Sequence, residues 1–198
     1  MGHLIVENLS CSRGGRDIFQ NLSFKVNQGE STLIKGANGS GKTSLLRIIA
    51  GYLDPMVGTC HLTNNNASRK NIFIGQKHAL KNNLSVKNNI KLWELLFSSK
   101  VNYINLLSLV GLNKEIESDV ANLSDGQKRR LSLLRLFINN YFLWLLDESY
   151  VNLDEEWSLV LNKFILDHKS KGGIVLITSN TNLSLTTNFQ INLSDYNA

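Results

Sequence analysis

Apolar and polar residues alternate along this chain with two different periods, and the changes of period predict strands that alternate with helices. Seven short apolar-rich runs are typical of β-strands and lie at residues 3–8, 22–27, 30–35, 58–63, 71–74, 142–146 and 173–178. Gly29 marks a turn between the second and third runs. The last two runs are apolar throughout, which is typical of strands buried on both faces.

Between these runs, apolar residues recur at three- and four-residue steps, which predicts helices. The predicted helical segments are residues 41–50, a mostly helical stretch at about 86–111, a helix that begins at Asp125, and about 154–169. In the stretch at 86–111 we attribute the apolar stripe to packing in the core or against a partner; it consists of Val86, Ile90, Trp93 and Phe97. Strands separated by helices predict an α/β fold whose parallel sheet is covered on both faces.

The segment LSDGQKRR, residues 123–130, has the composition of a turn that leads into a helix. Ser124 and Asp125 are both residue types that cap helix N-termini, because a side-chain oxygen accepts a hydrogen bond from the first unpaired N–H groups. The sequence leaves open which of the two is the cap. It also raises the question of what this polar cap faces.

Composition indicates a folded, soluble protein with ordinary surface charge. The chain of 198 residues is long enough for one well-buried domain, and 42% of it is apolar. The net charge is +5, but the basic residues are spread from Arg13 to Lys171, so nucleic acid is not an expected partner. Cys11 and Cys60 are too few for a disulfide framework and favour a reducing compartment. No apolar run has the length that a membrane span needs.

The segment GANGSGKT, residues 36–43, fits the phosphate-binding pattern G-x-x-x-x-G-K-[ST] and lies between a predicted strand and a predicted helix. Its glycines allow backbone N–H groups to turn toward phosphate oxygens, and the helix directs its positive end to the same anion. We expect Lys42 to reach the β- and γ-phosphates and the Thr43 hydroxyl to hold Mg²⁺. The residues predicted to contact the nucleotide here are Gly36, Ala37, Asn38, Gly39, Ser40, Gly41, Lys42, Thr43 and Ser44.

A second candidate site is LWLLDE, residues 143–148, in which two acids follow an apolar run. A carboxylate at the end of a buried strand is costly unless it meets a cation, and Mg²⁺ held through water suits Asp147. Glu148 is expected to point the other way and to orient or deprotonate an attacking water. The acidic pair alone is weak evidence for a site, but it indicates nucleotide hydrolysis when it follows a phosphate-binding loop.

Together, the phosphate-binding loop, LSDGQ, LLDE and the later NLD resemble, in order and over nearly the whole chain, the ATP-binding subunits of ABC transporters. The resemblance implies a P-loop NTPase fold of the ABC ATPase type, with a mostly parallel core sheet, an antiparallel β lobe and a small helical subdomain. It implies one ATP-binding domain over residues 1–198, with the helical subdomain inserted at about residues 78–140. The implied ligands are ATP and Mg²⁺, and the implied reaction is ATP hydrolysis coupled to transport.

In such subunits the LSDGQ segment contacts ATP that is held by a second copy, so that two copies enclose two ATP molecules head to tail. The resemblance therefore assigns Ser124, Gly126 and Gln127 to a partner's nucleotide, and this is what the polar cap is expected to face. Asp154 in VNLD matches an aspartate of the loop that crosses between copies. Asp125 replaces the family's usual small residue, which removes no catalytic group.

Other site residues follow from the same resemblance, one position at a time. Gln76 in FIGQK matches a glutamine that contacts Mg²⁺ and the attacking water, and Lys77 is the alternative if the register shifts by one. Mg²⁺ is thus expected at Thr43, Gln76 and Asp147. Arg13 stands where the family often stacks an aromatic ring on adenine, and its planar guanidinium is able to stack instead.

Asn180 is a departure from the family, which has a histidine there that contacts the γ-phosphate. An asparagine amide donates a hydrogen bond but cannot become cationic. We therefore expect Asn180 to act beside Glu148 and Gln76 in catalysis, with intact ATP binding and slow hydrolysis. Two alternatives stay open: Asn180 reaches the phosphate well enough, or Thr181 or Asn182 takes its place.

Within the family, several segments resemble the ATP-binding subunit of cytochrome c maturation, also called the haem exporter ATPase: ENLSCSRGGRDIFQNLSF, SLLRIIAGYL, FIGQKHALKNNLSVKNNI and GGIVLITSN. This resemblance implies ATP-driven haem export, or release of a haem chaperone, for c-type cytochromes. It implies an integral membrane subunit as partner and a peripheral location on the cytoplasmic face of the bacterial inner membrane. Haem itself is not expected to bind this chain, which has no C-x-x-C-H motif.

Three other functions stay open at this point. The first is the ATP-binding subunit of another ABC exporter. The second is an ABC-type ATPase that acts on nucleic acid or ribosomes, which would normally need two cassettes or a long coiled-coil insertion. The third is a nucleotide-gated module that closes on ATP and barely hydrolyses it.

Overall fold

A computed structural model describes residues 2–63, 71–180 and 185–196 of the chain. Its first layer is an antiparallel sheet of three strands in the order β2-β1-β4, with β1 at His3–Arg13, β2 at Arg16–Asn27 and β4 at Val57–Thr63. The first two strands are longer than predicted. The register of β1 against β2 shifts between Val6 and Leu9 and again near Cys11, so the alternation of apolar residues is interrupted inside a continuous strand.

The second layer is a parallel sheet in the order β5-β6-β7-β3-β8. Its strands are β3 (Ser31–Lys35), β5 (Asn71–Ile74), β6 (Leu143–Asp147), β7 (Ile174–Thr178) and β8 (Phe189–Asn192). Every residue of β6 and β7 is buried, as the uninterrupted apolar runs predict. The α/β class and the division into a parallel and an antiparallel sheet are confirmed.

Five α-helices connect the described strands: α1 (Lys42–Ile49), α2 (Val86–Phe97), α3 (Tyr103–Leu109), α4 (Asp125–Leu133) and α5 (Glu155–Ser170). The predicted stretch at 86–111 thus divides into two helices. Ser98 takes a left-handed conformation that ends α2, and Asn102 caps α3 by accepting a hydrogen bond from the Asn105 N–H. Among the described residues, no helix combines the length and apolar character that crossing a bilayer requires.

Three clusters of buried apolar side chains hold the layers together. One lies between the antiparallel sheet, α1 and one face of the parallel sheet. A second packs α5 on the opposite face, so that the parallel sheet is covered on both sides. The third joins α2, α3 and α4; it includes Val86, Ile90 and Trp93, with Phe97 packed at its edge. The apolar stripe of α2 is therefore core packing.

Candidate functional site

The carboxyl ends of four parallel strands bring the predicted site residues to one edge of the sheet. The phosphate-binding loop follows β3, and Gln76 follows β5. The acidic pair ends β6, and Asn180 lies just beyond β7. In α/β sheets this edge is where ligands bind, because the loops there face one crevice.

The phosphate-binding loop, residues 36–41, depends on glycine at its junction with α1. Gly41 caps that helix with a left-handed φ of 98°, and a Cβ at this position would lie 2.5 Å from the Ile18 Cγ2 atom. The Ser40 N–H donates to the Ala37 carbonyl at 3.1 Å, which curls the loop. The first N–H groups of α1 consequently point toward the mouth of the loop.

Lys42 is held beneath this loop with 5% of its surface exposed. Its ammonium donates to the carbonyls of Gly36, at 2.8 Å, and Ala37, at 3.1 Å. Its Nζ also lies 3.9 Å from Oε1 of Glu148. A buried cation thus sits between the loop and the second acid, where its charge is poorly screened.

Asp147 is 1% exposed and receives two hydrogen bonds from threonines. The Thr43 hydroxyl donates to its Oδ2 at 2.9 Å, and the Thr178 hydroxyl donates to its Oδ1 at 2.8 Å. Hydroxyl and carboxylate oxygens are the hard ligands that Mg²⁺ prefers, and Mg²⁺ sites typically use one or two carboxylates together with substrate phosphates. In the described part of the chain, no three His, Cys, Asp or Glu side chains are arranged so that they could hold a metal ion together. The oxygens of Thr43 and Asp147 therefore fit a nucleotide-bound Mg²⁺ and do not form a protein-only metal cage.

Glu148 follows Asp147 with a left-handed backbone, φ of 47°, and its carboxylate contacts Lys42 and not the two threonine hydroxyls that donate to Asp147. Its N–H donates to the Thr178 hydroxyl at 3.0 Å, so Thr178 bonds to both members of the acidic pair. Motif reasoning missed Thr178. Its signal is a polar residue that ends a wholly apolar strand, where a buried hydroxyl requires a partner.

A cavity of about 400 Å³ opens above these groups. It is lined by Arg13, Ile18, Asn38, Gly39, Gly41, Lys42, Thr43, Ser44, Gln76, Glu148 and Asn180. Arg13, Gln76 and Asn180 thus meet half of the phosphate-binding loop at this cavity. The lining does not include Gly36, Ala37, Ser40 or Lys77. Thr181 and Asn182 lie outside the described residues.

The residues predicted to contact a partner's nucleotide do not line this cavity; they are Ser124, Gly126 and Gln127. Ser124 is the N-cap of α4, which decides between the two candidate caps. Its Oγ accepts from the Gln127 N–H at 3.2 Å, and its own N–H donates to Oε1 of Gln127 at 2.8 Å, forming a capping box. Asp154 likewise caps α5 by accepting from the Trp157 N–H at 2.8 Å.

The family model described as "ABC transporter" matches residues 19–151, which include most of the cavity lining, the capping box and both acids. The chain belongs to the ABC transporter family. Members of this family bind ATP and couple its hydrolysis to transport.

Curated relatives match over nearly the whole chain. The cytochrome c biogenesis ATP-binding export protein CcmA of Rhodopseudomonas palustris (strain HaA2) is 36% identical, over 90% of this chain and 92% of its own. The protein of the same name from Haemophilus influenzae is 33% identical, over 98% of this chain and 97% of its own. That of Wolbachia pipientis wMel is 33% identical, over 96% of each chain.

Solved structures share the fold. A putative ABC transporter ATP-binding protein from Pyrococcus furiosus superposes with a TM-score of 0.83 and 26% identity, over 99% of this chain and 100% of that one. An ATP-binding cassette of an ABC transporter in its ADP conformation gives a TM-score of 0.74 over 92% of this chain and 82% of that one. At 23% identity, the similarity to this second structure shows only a shared fold.

Proposed function

We propose that this chain is the ATP-hydrolysing subunit of a membrane complex that serves c-type cytochrome biogenesis, in haem export or in release of a haem chaperone. The observation that supports hydrolysis is that Lys42, Thr43 and Glu148 line one cavity, while Asp147 accepts a hydrogen bond from the Thr43 hydroxyl. The cytochrome process rests on whole-length similarity to the CcmA proteins. Haem is not a proposed ligand of this chain.

Binding of ATP in the cavity is proposed to use the loop, Lys42 and Arg13. The β- and γ-phosphates lie over the N-terminus of α1, where N–H groups and the helix dipole favour negative charge. Lys42 is already directed at the loop by two carbonyl contacts, so little side-chain ordering is needed on binding. Arg13 stacks its guanidinium on the base at the cavity wall.

Mg²⁺ is proposed to bind at Thr43 and Asp147, with Gln76 facing the same space. When bound, Mg²⁺ supplies positive charge to the phosphate oxygens of the transferring group. The protein's part is to hold the oxygens in place, and the Thr178 hydrogen bond fixes the Asp147 carboxylate for this purpose. Asp147 is a buried carboxylate that a cation stabilises.

Glu148 is proposed to accept a proton from the attacking water, which is oriented by Gln76 and Asn180. The side chain of Glu148 is 17% exposed at the cavity, so a water molecule has access to it. Its Oε1 lies 3.9 Å from the Lys42 ammonium, at the same edge of the cavity as the phosphate-binding loop. Water activation and phosphate contact are therefore proposed for different side chains around one cavity.

A head-to-tail dimer is proposed because the capping-box residues lie outside the lining of their own cavity. The Ser124 hydroxyl accepts a hydrogen bond within the capping box and keeps its own hydrogen for donation. Ser124 and the Gly126 N–H are proposed to bind the γ-phosphate held by a second copy, with Gln127 fixing the cap. Asp154 lies at the start of α5 and is proposed to face the same interface.

An integral membrane subunit is the other proposed partner, with the chain peripheral on the cytoplasmic face of the inner membrane. Helices α2 and α3 expose Leu95, Leu96 and Ile104, and Leu95 is 79% exposed. Exposed large apolar side chains suit contact with another protein when they lie side by side, as the consecutive Leu95 and Leu96 do. These residues are the part of the chain that we propose to contact the membrane subunit.

Deletion of the gene is expected to abolish haem staining of c-type cytochromes in the host. Complementation with the unaltered gene restores the staining, and complementation with Lys42→Ala does not, because the work depends on ATP. Haem-stained membrane fractions give the measurement. Normal staining after deletion would reject the cytochrome role and leave the ATP-binding subunit of another ABC exporter.

A second candidate function is a nucleotide-gated module with slow hydrolysis, favoured by Asn180 at the cavity wall. Its amide cannot supply the cationic contact that a histidine ring supplies to the transferring phosphate. We expect Asn180→His to raise kcat at least about tenfold with little change in ATP affinity. Steady-state ATPase assays with the membrane subunit test this, and Asn180→Ala serves as the control for removing the amide. Equal rates for the unaltered chain and the Asn180→His variant would reject the nucleotide-gated module as a function.

A further inference from the structure

Arg129 is the largest of the described side chains that are fully buried, with 1% of its surface exposed. Its guanidinium has no carboxylate within 4.0 Å in the described residues, and its hydrogen bonds go to backbone carbonyls. Nε donates to Ser149 O at 3.1 Å, Nη1 to Gly75 O at 2.8 Å, and Nη2 to Glu148 O at 2.9 Å and Asp147 O at 3.3 Å. A buried cation therefore holds four carbonyls at once.

Burial of this kind is unfavourable unless the guanidinium is fully hydrogen-bonded. Burial lowers the pKa of Arg129 to about 10, which still leaves it cationic at neutral pH. The planar fork of arginine suits carbonyls that lie around one plane, and a lysine ammonium cannot reach all of them. The contact set is thus specific to arginine.

The four carbonyls belong to two loops of the candidate site. Gly75 precedes Gln76 at the end of β5, and the other three carbonyls follow one another through the acidic pair at the end of β6. Arg129 itself lies on α4, the helix that Ser124 caps. The guanidinium also borders a small cavity of about 90 Å³ together with Gln76 and Glu148.

We propose that Arg129 is a positioning residue that fixes Glu148 and Gln76 relative to each other and to the helix capped by Ser124. It bonds to the carbonyls of Glu148 and Ser149, on the left-handed turn that directs the Glu148 carboxylate into the cavity. Because α4 carries both Arg129 and the cap, a shift of this helix against a second copy moves the carbonyls that aim the catalytic side chains. This role rests on the proposed ATP hydrolysis.

Replacement of Arg129 by glutamine is expected to lower kcat about 100-fold, because small misplacement of a reacting group has effects of this size. The affinity for ATP stays within about threefold, since the hydrogen bonds of Arg129 go to neither Lys42 nor the phosphate-binding loop. Arg129→Lys is expected to retain part of the kcat that Arg129→Gln loses. The matched control is Arg130→Gln on the same helix, which contacts the Val110 carbonyl and the Trp157 ring and not the catalytic loops. A loss of kcat as large in Arg130→Gln as in Arg129→Gln overturns the proposal.

A double-mutant test separates positioning of Glu148 from a general loss of structure. In a Glu148→Gln background, single-turnover hydrolysis should fall less than about threefold when Arg129→Gln is added, because residues that act through one another are not additive. An equal fold-loss in both backgrounds would show that Arg129 does not act through Glu148.

Hydrogen exchange gives a reading that does not need turnover. In the nucleotide-free chain, Arg129→Gln should speed amide exchange at residues 75–78 and 147–152 and leave residues 36–49 unchanged, whereas Arg130→Gln should not. Exchange that is faster along the whole chain, or that is not faster at these two loops, overturns the proposal. If the unaltered chain hydrolyses no ATP while this exchange pattern is found, the proposed function fails and the positioning contact stands.

Discussion

Lys42→Ala should abolish ATP binding or weaken it more than about 30-fold, because loss of one partner of a buried charged contact costs about 2–5 kcal/mol. Lys42 is 5% exposed and is the buried cation beneath the loop. Titration calorimetry with ATP and Mg²⁺ measures the affinity. The matched control is Arg47→Ala, which removes an exposed cation from the last turn of the same helix and should leave affinity unchanged. An unaltered dissociation constant in Lys42→Ala would exclude the loop as the phosphate site.

Glu148→Gln should bind ATP normally and lose hydrolysis by about 10²–10⁴-fold, the contribution of a positioned general base. Glutamine keeps the shape of the side chain, so its effect is on proton transfer and not on packing. Without turnover, the chain is expected to accumulate as a closed dimer. Size-exclusion chromatography with ATP and Mg²⁺ detects the dimer, and chromatography without nucleotide is the reference.

Adding Ser124→Arg to Glu148→Gln should prevent this dimer, because a long side chain fills the space of the partner's γ-phosphate. The substitution also removes an N-cap, which costs about 1 kcal/mol of helix stability. Ser124→Ala removes the same cap without the bulk, and it should retain more dimer than Ser124→Arg. A Glu148→Gln chain that stays monomeric at high concentration, even with its membrane subunit, contradicts the two-copy site.

Much of the fold follows from local pattern. The strand predicted at residues 71–74 has the bounds of β5, and the helix predicted at residues 41–50 is α1 at Lys42–Ile49. Pattern reasoning missed β8 at Phe189–Asn192, because it is a short, mostly exposed edge strand whose apolar alternation covers only four residues. It also missed the extent of β1, because shifts of register disturb the period of that strand. Pattern reasoning fails where burial is set by distant strands.

The candidate site shows the same division between local and distant contacts. Lys42, Thr43 and Glu148 belong to short motifs, so the sequence alone singles them out. Thr178 and Arg129 act through contacts 31 and 54 positions away, with Asp147 and Gly75 respectively. In the sequence, Arg129 is one of three consecutive basic residues and resembles a solvated surface cation. Its burial only becomes visible when α4 is packed against the ends of β5 and β6.

The left-handed backbone conformation of Glu148 lowers the stability of the chain, and the residue that is strained there is the one that activity requires. A non-glycine residue in this region is strained by about 1–2 kcal/mol, and asparagine and glycine accept the conformation more readily than glutamate. Neither asparagine nor glycine carries a carboxylate that accepts a proton. The residue that best suits this turn is therefore one that cannot perform its chemistry, and a search for thermostable variants of this chain would select inactive enzymes at position 148.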